Sequence, residues 1–107
     1  RQVYGVLRLV APVVEFHTGE YAHAFLDGDG EKVARELKRI ADMAALAAKN
    51  GIEPHAGHGL TFDNVQPIAA IPQIAELNIG HYLIGEAVFV GLENAIRRMR
   101  ELMDEAR

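Results

Sequence analysis

The stretch EKVARELKRIADMAALAAKNGIEPHAGHGL, residues 31–60, decides the fold. Val33, Leu37, Ile40, Ala44 and Ala47 recur at steps of three and four, with Lys32, Arg35, Glu36, Lys38 and Arg39 between them. That spacing predicts an amphipathic helix over Glu31–Asn50 that buries one stripe. Asp29 stands where an N-cap belongs, and Asn50-Gly51 supplies a left-handed exit. Directly behind that exit, Ile52 to Ala56 reads as a short strand, and Gly57-His58-Gly59 as the turn at its tip. Helix, tight exit, strand and glycine loop form the unit from which parallel sheets with outer helices are built.

Working outward, Pro12 to His17 is a second strand candidate and Glu76 to Ile79 a third, each running into a glycine-bearing turn. Gly80-His81 leads into a short helix over Tyr82–Phe89. Leu92, Ala95, Ile96, Met99, Leu102, Met103 and Ala106 then mark a long terminal helix, with Glu93/Arg97, Arg97/Glu101 and Arg100/Asp104 on its outer face. Two helical turns are expected around Pro67 and Pro72, the first capped by Asn64. The prediction is an α/β chain of parallel β/α units over residues 12–107, with an extra short helix before the terminal one. Residues 1–11 are apolar without a clean period and form an atypical leading segment of the same single domain.

Composition narrows the function classes. Half of the 107 residues are hydrophobic, which excludes a disordered tail. A net charge of −4 argues against a nucleic-acid partner, which needs a basic stripe. The absence of cysteine removes disulfides, thiolate metal sites and thiol catalysis, and fits a cytoplasmic location. The apolar run from Val3 to Phe16 is broken by Arg8 and Glu15, so neither a membrane span nor a signal peptide is expected. The chain is one domain's worth, less than half of the ~250 residues that a complete eightfold α/β barrel takes.

Strand alternation locates the chemistry. With Val14 and Phe16 packed on the helices, Glu15 and His17 face the other side, and the same parity adds Glu53, His55 and Asn78. A packed barrel interior is dominated by Val, Ile and Leu. A polar face instead suggests a wet functional cavity, the alternative being a satisfied hydrogen-bond layer. Two glycine loops follow neighbouring strands, Ala56-Gly57-His58-Gly59-Leu60 and Ile79-Gly80-His81, and the second opens a helix. Exposed backbone N–H groups at such a place suit a phosphate. His58 is the candidate for proton transfer near neutral pH, or else an N–H donor that anchors the phosphate.

Other patterns carry less. His55-x-x-His58 with Glu53 does not converge on a metal, because three-residue spacing across a strand end splays the rings. Asp27-Gly28-Asp29-Gly30-Glu31 imitates a calcium loop, but Lys32 occupies the turn-glycine position and Lys38 the bidentate-glutamate position. Tyr21 and His23, after the Thr18-Gly19 turn, read as surface, with a loop lid as the alternative.

Three runs carry a family resemblance: Glu15-Phe16-His17-Thr18-Gly19-Glu20-Tyr21-Ala22, Ala56-Gly57-His58-Gly59-Leu60-Thr61 with Asn64-Val65, and Glu76-Leu77-Asn78-Ile79-Gly80-His81 with Ile84-Gly85 and Ala87-Val88. In this order, and with the ending Met99-Arg100-Glu101-Leu102-Met103, they closely resemble the pyridoxine 5′-phosphate synthase family from about Ala11 to Arg107. The resemblance implies the C-terminal portion of a TIM barrel. It implies condensation of 3-amino-2-oxopropyl phosphate with 1-deoxy-D-xylulose 5-phosphate to pyridoxine 5′-phosphate, inorganic phosphate and water. No metal or organic cofactor is implied, and the members are cytosolic homo-oligomers. The family's proton-donating histidine falls on His58, and its phosphate contacts on Gly59 and on Gly80-His81. Glu15 and His17, from the Glu-x-His-Thr-Gly strand, line the site.

The family's further catalytic His and Glu, an early Asn and the Arg residues that grip the second substrate have no match here. Arg1–Val10 also lacks the helix and Gly-Ala run that leads into the strand at Val13. The expectation is therefore a part of a longer or broken gene, or a half-barrel piece, whose open sheet edges lead to self-association without turnover. A phosphate-binding module without turnover and an assembly piece are the competing readings.

Overall fold

Three short parallel strands, covered on one face by helices, position everything that follows. The computed structural model describes residues 12–107, with His81 described by its backbone alone; the leading segment 1–11 expected above lies outside the described residues. The elements in chain order are β1 (Val13–His17), α1 (Gly19–Asp27), α2 (Gly30–Lys49), β2 (Glu53–Gly57), α3 (Val65–Ala69), β3 (Glu76–Asn78), α4 (Gly80–Val90) and α5 (Leu92–Glu105). The sheet order is β1-β2-β3 and both pairings are parallel. In register, Glu15 lies opposite His55 and His55 opposite Glu76, while His17 lies opposite Gly57 and Gly57 opposite Asn78. Among the described residues, β1 and β3 each have one neighbouring strand, and their outer edges are unpaired.

Helix α2 forms where its spacing predicts. Asp29 accepts the N–H of Lys32 at 3.1 Å, and Gly51, at φ +74°, takes the left-handed exit that a β-carbon would oppose. Ile40, Ala44 and Ala47 are buried against Phe16 and Ala56 of the sheet. Two alanines in that stripe let the helix approach closely, and each buried isoleucine of the core contributes ~1.5–3 kcal/mol. The core continues through Tyr21, Leu60, Ile68 and Ile74. A second cluster joins Val65 to Met99 and Leu102 of α5. Strand β2 runs one residue later than expected and β3 one residue shorter.

Three expectations are corrected. Residues 19–27 form a helix rather than a surface turn, because Tyr21 and Ala24, three apart, are both buried, and Gly28 at φ +73° closes its end. Tyr21, read as surface, is 0% exposed. Around Pro72 the chain makes one hydrogen-bonded turn, Ile74 N–H to the Ile71 carbonyl at 3.2 Å, that does not extend into a helix, and the carbonyls of Ala69, Ile71 and Ile74 also accept hydrogen bonds from the Arg107 guanidinium at 2.6, 3.1 and 2.6 Å. The long-range clamp is added to the local turn there. In α4, Ile84, Val88 and Phe89 face solvent, at 69%, 80% and 82% exposure, which leaves an apolar stripe on the surface. No helix among the described residues is long and apolar enough to cross a membrane.

Candidate functional site

Each strand ends in a residue that contacts a neighbouring strand or its loop: His17 stacks on His58, Gly57 accepts the Thr18 N–H, and Asn78 reaches Glu15. The predicted parity holds: Phe16 and Ala56 are buried under the helices, and Glu15, His17 and Asn78 are on the open face. Asn78 donates Nδ2–H to Glu15 Oε1 at 2.5 Å, spanning the sheet from β3 to β1. Gly57 makes that span workable. A β-carbon there would stand 2.8 Å from both Cβ and the carbonyl oxygen of Asn78.

The polar face divides into two hydrogen-bonded groups. His55 does not join Glu15 and Asn78; its Nε2 lies 2.6 Å from Glu53 Oε2 and 3.6 Å from Glu76 Oε2. For this residue the hydrogen-bond layer is what forms. Glu76 is the member that the sequence reading missed, although it has the parity of Asn78. Ligand-type atoms of Glu53, His55 and Glu76 lie within 4.8 Å of one another, and the His55–Glu53 contact accounts for their gathering. His55 and His58 do not meet as a pair, since His58 turns to His17.

His58 has φ +91°, the sole non-glycine residue with positive φ among those described. Such a backbone costs on the order of 1–3 kcal/mol and persists only where the surroundings impose it. Here Thr18 Oγ1 donates to the His58 carbonyl at 2.6 Å, and the His17 and His58 rings stack with centroids 4.2 Å apart and planes 28° apart. Gly59 follows at φ +81°, and a β-carbon on it would stand 2.7 Å from Cβ of Ala22. The Gly-His-Gly loop is therefore shaped by α1 as well as by its own sequence.

Asn64, expected as a helix cap, makes no side-chain cap bond at α3. It turns back instead: Oδ1 accepts the Thr61 N–H at 2.8 Å, and Nδ2 donates to the Gly59 carbonyl at 3.2 Å. Tyr21 completes the knot by donating its hydroxyl to the Asn64 carbonyl at 2.6 Å. Burial pushes the Tyr21 phenol up to about 12. On the far side of the loop, Phe62 packs edge-on against Tyr82 of α4, with centroids 5.0 Å apart and planes at 82°. Burial also raises the Tyr82 phenol above its ordinary value.

Two hollows meet at His58. One, of 570 Å³, is lined by Glu15, His58, Gly59, Thr61, Asn78 and Gly80 among others. The other, of 690 Å³, lies on the α1 side against Gly19, Ala22, His23, Phe25 and Asn64, and His58 borders it too. Of the predicted site residues, Glu15, His58, Gly59 and Gly80 thus share one hollow. His17 lines the second and is joined to the first through its stack on His58. His81 lies in the first turn of α4, behind Gly80. That helix start has no side-chain cap, and a β-carbon on Gly80 would meet nothing within 4 Å. The hollow offers a carboxylate, an imidazole and uncapped backbone N–H donors, a set suited to a small phosphorylated molecule that must receive a proton. Thr18, Gly19, Tyr21 and Asn64 shape this site and were missed: Thr18 and Tyr21 have partners 40 or more residues away, Gly19 meets the neighbouring rings, and Asn64 bonds back to its own loop instead of capping a helix.

The family described as "Pyridoxal phosphate biosynthesis protein PdxJ" matches residues 1–105. The chain is 56% identical over 107 residues to the pyridoxine 5′-phosphate synthase of Ruegeria pomeroyi, a match covering 100% of the chain and 43% of that protein. It is 58% identical over 106 residues to the enzyme of that name in Zymomonas mobilis, covering 99% and 40%. Against that of Caulobacter sp. strain K31 it is 60% identical over 97 residues, covering 91% and 39%. The chain spans about two-fifths of the length of the curated relatives it matches.

Proposed function

The chain belongs to the pyridoxal phosphate biosynthesis protein PdxJ family, and from that premise we propose that it supplies the phosphate-holding and proton-donating part of a pyridoxine 5′-phosphate synthase. The overall reaction joins 3-amino-2-oxopropyl phosphate to 1-deoxy-D-xylulose 5-phosphate, in the cytoplasm, with loss of inorganic phosphate and water. The observation that carries this reading is the single hollow shared by His58, Glu15 and the Gly80 start of α4. In the proposal, backbone N–H groups of Gly59, Gly80 and His81 hold the phosphate of the aminoketone, where the positive end of the α4 dipole favours an anion. His58 delivers a proton to the substrate beside it. Glu15, fixed by Asn78, presents a carboxylate to the positive charge that develops on the reacting carbon–nitrogen system. The strands belong, on this reading, to the C-terminal portion of a TIM barrel formed by a single domain.

Titration of inorganic phosphate into the chain, followed by the Gly80 amide resonance and by thermal melting, tests the assignment. We expect a phosphate-dependent shift and a raised Tm, both lost in Gly80→Leu. The absence of any phosphate response overturns it. The two sheet edges that are unpaired among the described residues favour a second reading, in which the chain holds phosphate but gains turnover only when β1 and β3 acquire neighbours. Rescue of a pyridoxine auxotroph by this chain alone, abolished by His58→Ala, would overturn that second reading. The homo-oligomer that the resemblance implies is checked by sedimentation, and a monomer across the concentration range refutes it.

A further inference from the structure

We propose that His17, Thr18 and Gly19 are positioning residues that together fix the ring of His58 in the wall between the two hollows. Three consecutive residues converge on one residue forty positions later, each by a different contact. Thr18 is fully buried, and its backbone N–H donates to the Gly57 carbonyl at 2.8 Å while its hydroxyl donates to the His58 carbonyl at 2.6 Å. It therefore grips the loop on both sides of the bond into His58. His17 stacks its ring on the His58 ring, and its own Nδ1 accepts the Gly19 N–H at 3.3 Å. That bond places the hydrogen of the neutral His17 ring on Nε2 and fixes the ring plane. Gly19 leaves the space. A β-carbon at this position would lie 2.7 Å from His17 Cε1 and 3.3 Å from His58 Cδ2.

The backbone of His58 requires such a clamp, because an L-residue does not hold φ +91° by its own preference. Thr18 itself does not line the Gly80 hollow; its hydroxyl meets that wall only at the His58 carbonyl, so its effect runs through His58. The inference deepens the reading of His58 as proton donor and rests on it for its functional meaning, but the geometry is testable without turnover.

The test uses the chain itself, with Thr18→Val, which keeps the shape and removes the donor, and Thr18→Ser, which keeps the donor. The readouts are ring-to-ring nuclear Overhauser contacts between His17 and His58, the His58 imidazole resonances during titration with inorganic phosphate, and thermal melting. The wild type is expected to show the ring contact. Thr18→Val is expected to retain the phosphate shift at the Gly80 amide while losing both the ring contact and the His58 response, and Thr18→Ser to restore them. Should Thr18→Val fail to fold, Gly19→Ala, which inserts one carbon into the stack, is expected to give the same loss. A folded Thr18→Val or Gly19→Ala protein that keeps the ring contact overturns the proposal. A wild type that shows the ring contact but no phosphate response supports the clamp and removes the phosphate reading instead.

Discussion

Asn78 reaches across β2 to donate its side-chain amide to Glu15, and it does so over a position where β2 carries glycine. The contact links the outer strands of the sheet at the level of the site, so the carboxylate that faces the hollow is oriented by the strand that also delivers the chain to Gly80. The stability of that arrangement is open to direct measurement.

Gly57→Ala should be destabilising by ~1–3 kcal/mol, because the new carbon meets the backbone oxygen of Asn78 and the β2–β3 pairing must shift. Gly80→Ala meets open space and is expected within ~0.5 kcal/mol of wild type. Urea denaturation of both variants checks the contrast, and equal losses would contradict the close packing at Gly57.

Tyr21 gives a pH signature. Its phenol titrates near 10 when unfolded and at about 12 when folded, so the protonated form is the one that the fold favours. That stability is fully present below pH 10 and is lost as the pH rises towards 12, by ~2–3 kcal/mol in all. Tyr21→Phe should lack this alkaline slope while losing ~1–3 kcal/mol at neutral pH, since the buried Asn64 carbonyl is left without its donor. Melting curves from pH 8 to 12 test both parts.

Arg107→Ala removes the donors from three carbonyls of the 69–74 segment. Hydrogen bonds to a charged group are worth ~1.5–3 kcal/mol, so a loss of that order is expected in chemical denaturation. Arg107→Lys should recover only part of it, because one ammonium cannot reproduce the planar fork.

His58→Gly should separate stability from chemistry. Relief of the strained backbone, ~1–3 kcal/mol, is offset by ~0.5–1 kcal/mol for glycine's entropy and by ~0.5–1.5 kcal/mol for the lost ring stack. The expected net change is ~1 kcal/mol or less, a Tm within a few degrees of wild type. A fall of well over ten degrees would show that the ring supports the fold rather than function.

The sheet, α2 and the end helices were legible because their signals are local: a 3.6-residue apolar stripe, an Asp cap, an Asn-Gly exit. Strand parity alone separated Glu15, His17 and Asn78 from Phe16 and Ala56. What escaped were features fixed at a distance. Helix α1 offers only Tyr21 and Ala24 as a buried stripe, too short to stand out. Asn64 looks like a cap because it precedes Pro67, yet its amide serves Gly59 and Thr61. His55 has the parity of the site and lies opposite Glu15, but its ring is taken up by Glu53 and Glu76. The shape of the His58 loop is dictated by Thr18, which no spacing rule connects to it.

The edge-on pair of Phe62 and Tyr82 has a mechanical consequence. One ring rides on the loop that carries His58, the other on the helix that begins at Gly80. On the proposed reading, this pair ties donor to cradle like the fixed jaws of a caliper, and a guest would be selected by its length between anion and protonated atom.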